Sequence, residues 1–128
     1  MLLGETKLRK RTEQTFKYRV KDILESLGYL VIVCARSKPF DLVALKDSRT
    51  YLIEVKGRNT RYPEEQKNMQ CQLASKSRQN FVLFKQDKVK GHILVNCFYF
   101  VNMSDIIVLE HDLKKVLNNK LHVNILER

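Results

Sequence analysis

Pro39-Phe40-Asp41-Leu42-Val43-Ala44-Leu45-Lys46-Asp47-Ser48-Arg49-Thr50-Tyr51-Leu52-Ile53-Glu54-Val55-Lys56 is the run from which the architecture is read. Two apolar stretches, Phe40 to Leu45 and Thr50 to Lys56, flank the polar link Lys46 to Arg49. Strands joined by so short a link predict an antiparallel hairpin. Side chains alternate faces along a strand, so Glu54 and Lys56 point the same way, about 7 Å apart. Pairing around the Lys46–Arg49 turn brings Asp41 level with them. Three charged groups then meet at one end of an otherwise hydrophobic sheet.

Burying such charges is costly unless they pair or bind an ion. Two nearby carboxylates offer hard oxygen ligands suited to Mg²⁺ or Mn²⁺. A protonated lysine beside them does not ligate, but it can orient water or stabilise charge developing on a phosphate. A cross-strand salt bridge among the same groups is the competing reading, worth ~0–1 kcal/mol if exposed. Spacing alone leaves both open.

Upstream, Phe16, Val20, Ile23, Leu24 and Leu27 recur at helical spacing and predict a helix over Thr12 to Leu27, with Gly28 just past its end. Tyr29 to Val33 predicts a strand. Downstream, Gly57 to Tyr62 is a basic loop. Pro63 with Glu64 and Glu65 then predicts a helix start, running to about Lys76 with Gln66, Met69 and Leu73 on one face. Further strands are expected at Phe81–Phe84, His92–Val101 and, briefly, Ile106–Leu109. A last helix is expected over Asp112–Asn118. A helical crossover between strands predicts a parallel neighbour with a right-handed connection. The expected class is α/β, a mixed central β-sheet flanked by helices.

The chain has 128 residues, which suits a single domain over 1–128 with a short basic N-terminal arm at 1–11. Hydrophobic residues are 44%, enough for a core, and the net charge of +10 directs attention to polyanionic partners, nucleic acid first. No window approaches the ~20 apolar residues of a membrane span, and the start lacks a signal-peptide core. A cytoplasmic, intracellular protein with no membrane association is expected. Cys34, Cys71 and Cys97 show no disulfide or zinc-ligand spacing and are read as ordinary thiols. His92, His111 and His122 show no triad or HxxxH spacing and receive no role.

The pattern Pro39-Phe40-Asp41, twelve residues, then Glu54-Val55-Lys56 resembles the PD-(D/E)XK nuclease superfamily, with one extra residue between Pro39 and Asp41. The order of elements over Thr12 to Phe84 adds to the likeness. Within that superfamily, Leu27-Gly28-Tyr29 and Leu52 to Arg58 look most like the archaeal-type Holliday junction resolvases. The resemblance implies a restriction-endonuclease-like fold and a Mg²⁺- or Mn²⁺-dependent DNA endonuclease. Its metal ligands would be Asp41, Glu54 and the Val55 carbonyl, with Lys56 the catalytic lysine. Gln66 would orient phosphate or water. Resolvases of this kind carry a first-helix glutamate about eleven residues before the helix-ending glycine. Lys17 stands there in this chain, and Glu13, one turn earlier, is the candidate replacement.

Lys10, Arg11, Lys38, Arg58 and Arg61 are the expected contacts to the DNA backbone. A homodimer is implied, since a junction needs two symmetric cuts. The apolar Tyr99-Phe100-Val101 and Ile106 to Leu109 are candidates for its surface. Two rival readings remain: a restriction, homing or repair-type nuclease on duplex DNA, and a non-catalytic nucleic-acid-binding module.

Overall fold

The computed structural model describes residues 15–126. A helix, α1, covers 15–26 and is followed by β1 (Leu30–Val33), β2 (Leu42–Lys46), β3 (Arg49–Lys56), α2 (Glu64–Ser77), β4 (Asn80–Gln86), β5 (Ile93–Tyr99), α3 (Met103–Leu117) and β6 (Leu121–Ile125). Short 3₁₀ turns at Ala35–Ser37 and Asn118–Lys120 complete the described chain.

The six strands form one mixed sheet in sequence order. β1–β2, β2–β3 and β4–β5 pair antiparallel, whereas β3–β4 and β5–β6 are parallel. Each parallel pair is joined through a helix, α2 for the first and α3 for the second. Strand direction reverses between β4 and β5. Two right-handed crossovers therefore place their helices on opposite faces.

The packing follows that rule. On one face, Phe16, Val20 and Leu24 of α1 and Ile106, Leu109, Leu113 and Leu117 of α3 pack over Leu42, Ala44, Ile53, Val82, Phe84 and Val95. On the other, α2 covers a smaller cluster of Phe40, Ala74 and Phe81, bordered by Leu52, Tyr62, Cys71, Phe98 and Tyr99. Apolar side chains of β2 and β3 thus alternate between a large and a small core.

The central hairpin forms around the expected turn. Asp47 (φ 49°) and Ser48 (φ 66°) both lie in the left-handed region, the backbone that matches strand twist in a two-residue hairpin. Gly28 (φ 93°) ends α1, its amide donating to the Glu25 carbonyl at 3.0 Å.

β4 is buried along Asn80, Phe81, Val82, Leu83 and Phe84, on both faces. The one polar member of that buried run is fully bonded. Asn80 Nδ2 donates to the Thr50 carbonyl (3.1 Å) and to Asp105 Oδ2 (3.0 Å), and Oδ1 accepts from the Val101 amide (2.8 Å).

The C-terminal quarter departs from the sequence expectation. Ile106–Leu109 is not a strand: it lies within α3, which also contains most of the expected last helix. Ile106, Leu109, Leu113 and Leu117 lie on one helical stripe, and the short apolar run is a segment of it. β6 was not anticipated, because Leu121 to Ile125 mixes polar and apolar residues at a sheet edge. The apolar excess expected to mark a dimer surface is largely internal. Phe100 packs on the larger core and Tyr99 on the smaller, while Ile106 and Leu109 are buried. Val101 and Ile107 are exposed. On α2 the inward row is Gln66, Gln70 and Ala74, not Gln66, Met69 and Leu73; the two larger side chains face outward.

Candidate active site

β2 and β3 place the three charged residues of the hairpin. The register sets Leu42 against Ile53, and the Asp41 amide donates to the Ile53 carbonyl at 3.0 Å. Asp41 itself lies in the bend just before β2, beyond the last paired residue. Glu54 projects to the face covered by α2, where Gln66 and Gln70 meet it, and the Asp41 carboxylate lies near enough to raise its pKa. Asp41 Oδ2 accepts from the Val55 amide at 2.8 Å, which fixes the carboxylate across the end of β3.

Both acids are buried, Asp41 with 7% and Glu54 with 3% of its surface exposed. Glu54 is held from three sides. Gln70 Nε2 donates to Oε1 at 2.9 Å, Gln66 Nε2 donates to Oε2 at 3.3 Å, and Lys56 Nζ lies 3.4 Å from Oε2. The Lys56 ammonium also sits 5.5 Å from the centre of the Tyr62 ring, a cation–π distance. Asp41, Glu54, Lys56 and Gln66 are therefore brought together.

The electrostatics is that of two anions with incomplete compensation. Burial pushes Glu54 up to about 7, the nearby Asp41 charge adds to the rise, and Gln70 and Lys56 oppose it. The Cys34 thiol is pushed up by burial and then by Asp41, whereas Lys17 pulls it down. Lys17, whose Nζ donates to Ser37 Oγ at 3.3 Å, thus brings positive charge to the rim of the site.

Gln70 is the participant the sequence reading missed. It is fully buried, and its Nε2 also donates to the Pro39 carbonyl at 2.8 Å, while its Oε1 accepts from the Tyr62 hydroxyl. One side chain thereby joins Glu54, the segment leading into Asp41, and the loop after Lys56. Its sequence signal is the i, i+4 repeat of Gln66 and Gln70, which puts two amides on one helix stripe.

Other expected residues are more scattered. Lys38, Arg58 and Arg61 are exposed in the loops flanking the hairpin end. Arg58 Nε donates to the Asp87 carbonyl at 3.0 Å, fastening its loop to the β4–β5 turn. Lys10, Arg11 and Glu13 lie outside the described residues, as do residues 12–14 of the expected first helix. Among the described residues, no helix is long and apolar enough to cross a membrane.

The donor set suits a divalent cation of the Mg²⁺ class. Two buried carboxylates adjoin, their oxygens are hard ligands, and the raised Glu54 shows that the site favours added positive charge. The Val55 carbonyl lies between Glu54 and Lys56 in β3, within the same short segment.

A mixed sheet entered by an antiparallel hairpin, with helices on both faces and the acids at the end of that hairpin, is the restriction-endonuclease-like fold. Among solved structures, Hjc, a Holliday junction resolvase from the archaeal hyperthermophile Archaeoglobus fulgidus, is similar, with a TM-score of 0.53 and 20% identity over 63% of this chain and 72% of that one. No protein-family model matches the sequence, and no curated protein sequence matches it.

Proposed function

We propose that the chain is a metal-dependent endonuclease that hydrolyses DNA phosphodiesters, selective for branched substrates in the manner of a Holliday junction resolvase and serving DNA recombination or repair. The observation that carries this reading is the burial of Asp41 and Glu54 side by side, with Lys56, Gln66 and Gln70 converging on Glu54. The fold shared with a resolvase supports the same choice.

In this reading Asp41, Glu54 and the Val55 carbonyl hold Mg²⁺ or Mn²⁺. When bound, the ion supplies Lewis acidity to the phosphodiester and to the attacking water. Lys56, fixed between Glu54 and the Tyr62 ring, donates to water or phosphate and offsets developing negative charge. Gln66 orients the same groups. Gln70 keeps Glu54 aimed and draws the Pro39 segment in, so that both acids face one point. Lys38, Arg58 and Arg61 grip backbone phosphates on either side and fix register without reading sequence. A homodimer presents two such sites to a junction.

The deciding measurement is cleavage of a four-way junction and of its matched linear duplex in Mg²⁺. Preferential cutting of the junction, lost in Asp41→Ala with binding retained, is expected. Equal cutting of both would replace the resolvase reading with a duplex nuclease. Undiminished cutting by Asp41→Ala would remove the proposed site.

A non-catalytic DNA-binding module is favoured by one observation, the Lys17 ammonium at Ser37, a cation where the resolvase pattern carries a glutamate. It predicts salt-sensitive binding with no Mg²⁺-dependent cutting.

A further inference from the structure

We propose that Asp87, His92 and His122 form a second metal site, separate from the hairpin carboxylates, that takes a borderline divalent ion of the zinc class. Asp87 and His92 stand at the two ends of the β4–β5 turn, and His122 comes from the edge strand β6. One ligand atom from each lies within 4.8 Å of the others. No sequence motif signals this, because the histidines are 30 residues apart and only the parallel pairing of β6 with β5 unites them.

The geometry of the two imidazoles is the central observation. His92 Nδ1 faces His122 Nε2 at 3.2 Å, with the rings nearly parallel, 18° between planes. Two nitrogens bound to one tetrahedral zinc at about 2.0–2.1 Å stand about 3.3 Å apart. The separation matches that of two ligands on such an ion, which on binding would replace the proton now shared between the two rings. Asp87 supplies the third ligand and the one negative charge. It sits in a pinned turn, its amide donating to the His92 carbonyl (3.1 Å) and its Oδ1 accepting from the Lys88 amide (2.6 Å).

Two imidazoles and one carboxylate select a borderline late transition ion over Mg²⁺, which demands oxygen ligands. The neighbouring lysines, Lys88, Lys90 and Lys120, disfavour a cation electrostatically. An ion there must therefore be held by ligand bonds to nitrogen, which Zn²⁺, Co²⁺ and Ni²⁺ form and Mg²⁺ does not.

Strand alternation puts His92 and His122 on the sheet face that carries Glu54, since Ile93 and Val95 point into the opposite core. Both sites also lie at the same end of the sheet. The bound ion staples the β4–β5 turn to β6, and that turn holds Arg58 through the Asp87 carbonyl. Its consequence is structural: it stiffens the rim on which Arg58 stands.

The test is a Co²⁺ titration of the full chain carrying Glu54→Gln, which disables the hairpin site and separates the two proposals. Visible d–d absorption saturating near one equivalent, and bleached by Zn²⁺, is expected. Adding His122→Ala or His92→Ala should weaken Co²⁺ binding by about tenfold or more, whereas adding His111→Ala should not. His122 is exposed on an edge strand, so far-UV circular dichroism should be unchanged by its loss. Absence of Co²⁺ absorption, or equal affinity in the His122→Ala protein, would overturn the site.

Discussion

Glu54 is the residue at which stability and activity conflict. Its folded-state pKa of about 7 stands above the ordinary carboxylate value, chiefly through burial and then through Asp41. The folded protein therefore binds the extra proton more tightly than the unfolded chain does. Stability from this group is greatest below about pH 4.5, falls as pH rises toward 7, and stays low above it. Glu54→Gln removes the charge. The metal-free variant should melt higher than the parent at pH 8, by an increment of order 1 kcal/mol, and close to it at pH 5. Its cleavage rate should drop at least about 100-fold. A lower melting temperature than the parent at pH 8 would contradict the electrostatic account.

Gln70 is expected to act through Glu54 without touching DNA. Gln70→Leu keeps the side chain's bulk but strands the Pro39 carbonyl, a Glu54 oxygen and the Tyr62 hydroxyl, for a loss of about 1–3 kcal/mol. Because the cations proposed to grip DNA are untouched, kcat should fall while KM for DNA stays within about twofold. A change confined to KM would place Gln70 in substrate binding.

At the scale of elements, α3 is tied to the hairpin through one buried acid. Asp112 Oδ2 accepts from the Tyr29 hydroxyl at 2.8 Å and lies 3.6 Å from Lys46 Nζ, while Oδ1 lies 3.5 Å from Lys115 Nζ. Burial raises its pKa, but the Tyr29 hydrogen bond and the two lysines outweigh it, and the net shift is downward. A depressed carboxylate stabilises the fold above its unfolded pKa of about 3.9, and that contribution is lost as pH falls through the folded value. Asp112→Asn should therefore flatten the decline of denaturant stability between about pH 5 and pH 3. An unchanged slope would mean that the tie contributes nothing. In the hairpin, Ser48→Gly should raise stability by about 0.5–1 kcal/mol, since glycine adopts the left-handed backbone of Ser48 without strain.

The hairpin was legible because its signal is local. Alternation, a polar turn and charges in an apolar strand all fall within eighteen residues, Pro39 to Lys56. The crossover through α2 and its parallel neighbour followed from handedness and length. The remainder was hidden for physical reasons. Ile106 to Leu109 is too short an apolar run to separate strand from helix. β6 draws its stability from pairing with β5 more than from its own composition. The inward face of α2 covers a small, partly polar patch, so its buried row contains glutamines and the apolar Met69 and Leu73 mislead. His92 and His122 meet only through the β5–β6 pairing.

For the whole molecule, the formal charge of +10 would, in the proposed function, govern encounter with DNA. Affinity should fall steeply with salt, and each of Lys38→Ala and Arg61→Ala should reduce the log–log slope by about one. Binding should persist in EDTA, since these contacts need no metal. A salt-independent affinity would exclude backbone recognition. Arg58 also secures the β4–β5 turn, so its alanine variant should combine weaker binding with lower stability.

The central strand β4 has another consequence. A ribbon that is oily on both sides has no preferred side, and sliding it by one place would still leave Phe81 to Phe84 in an apolar setting. What denies that freedom is Asn80, whose amide finds its three partners in a single alignment. Replacing Asn80 with valine should therefore blur the fold as well as weaken it. Amide resonances of Phe81 to Phe84 should appear doubled, as two alignments share the population. A single set of peaks would assign the alignment to the flanking strands.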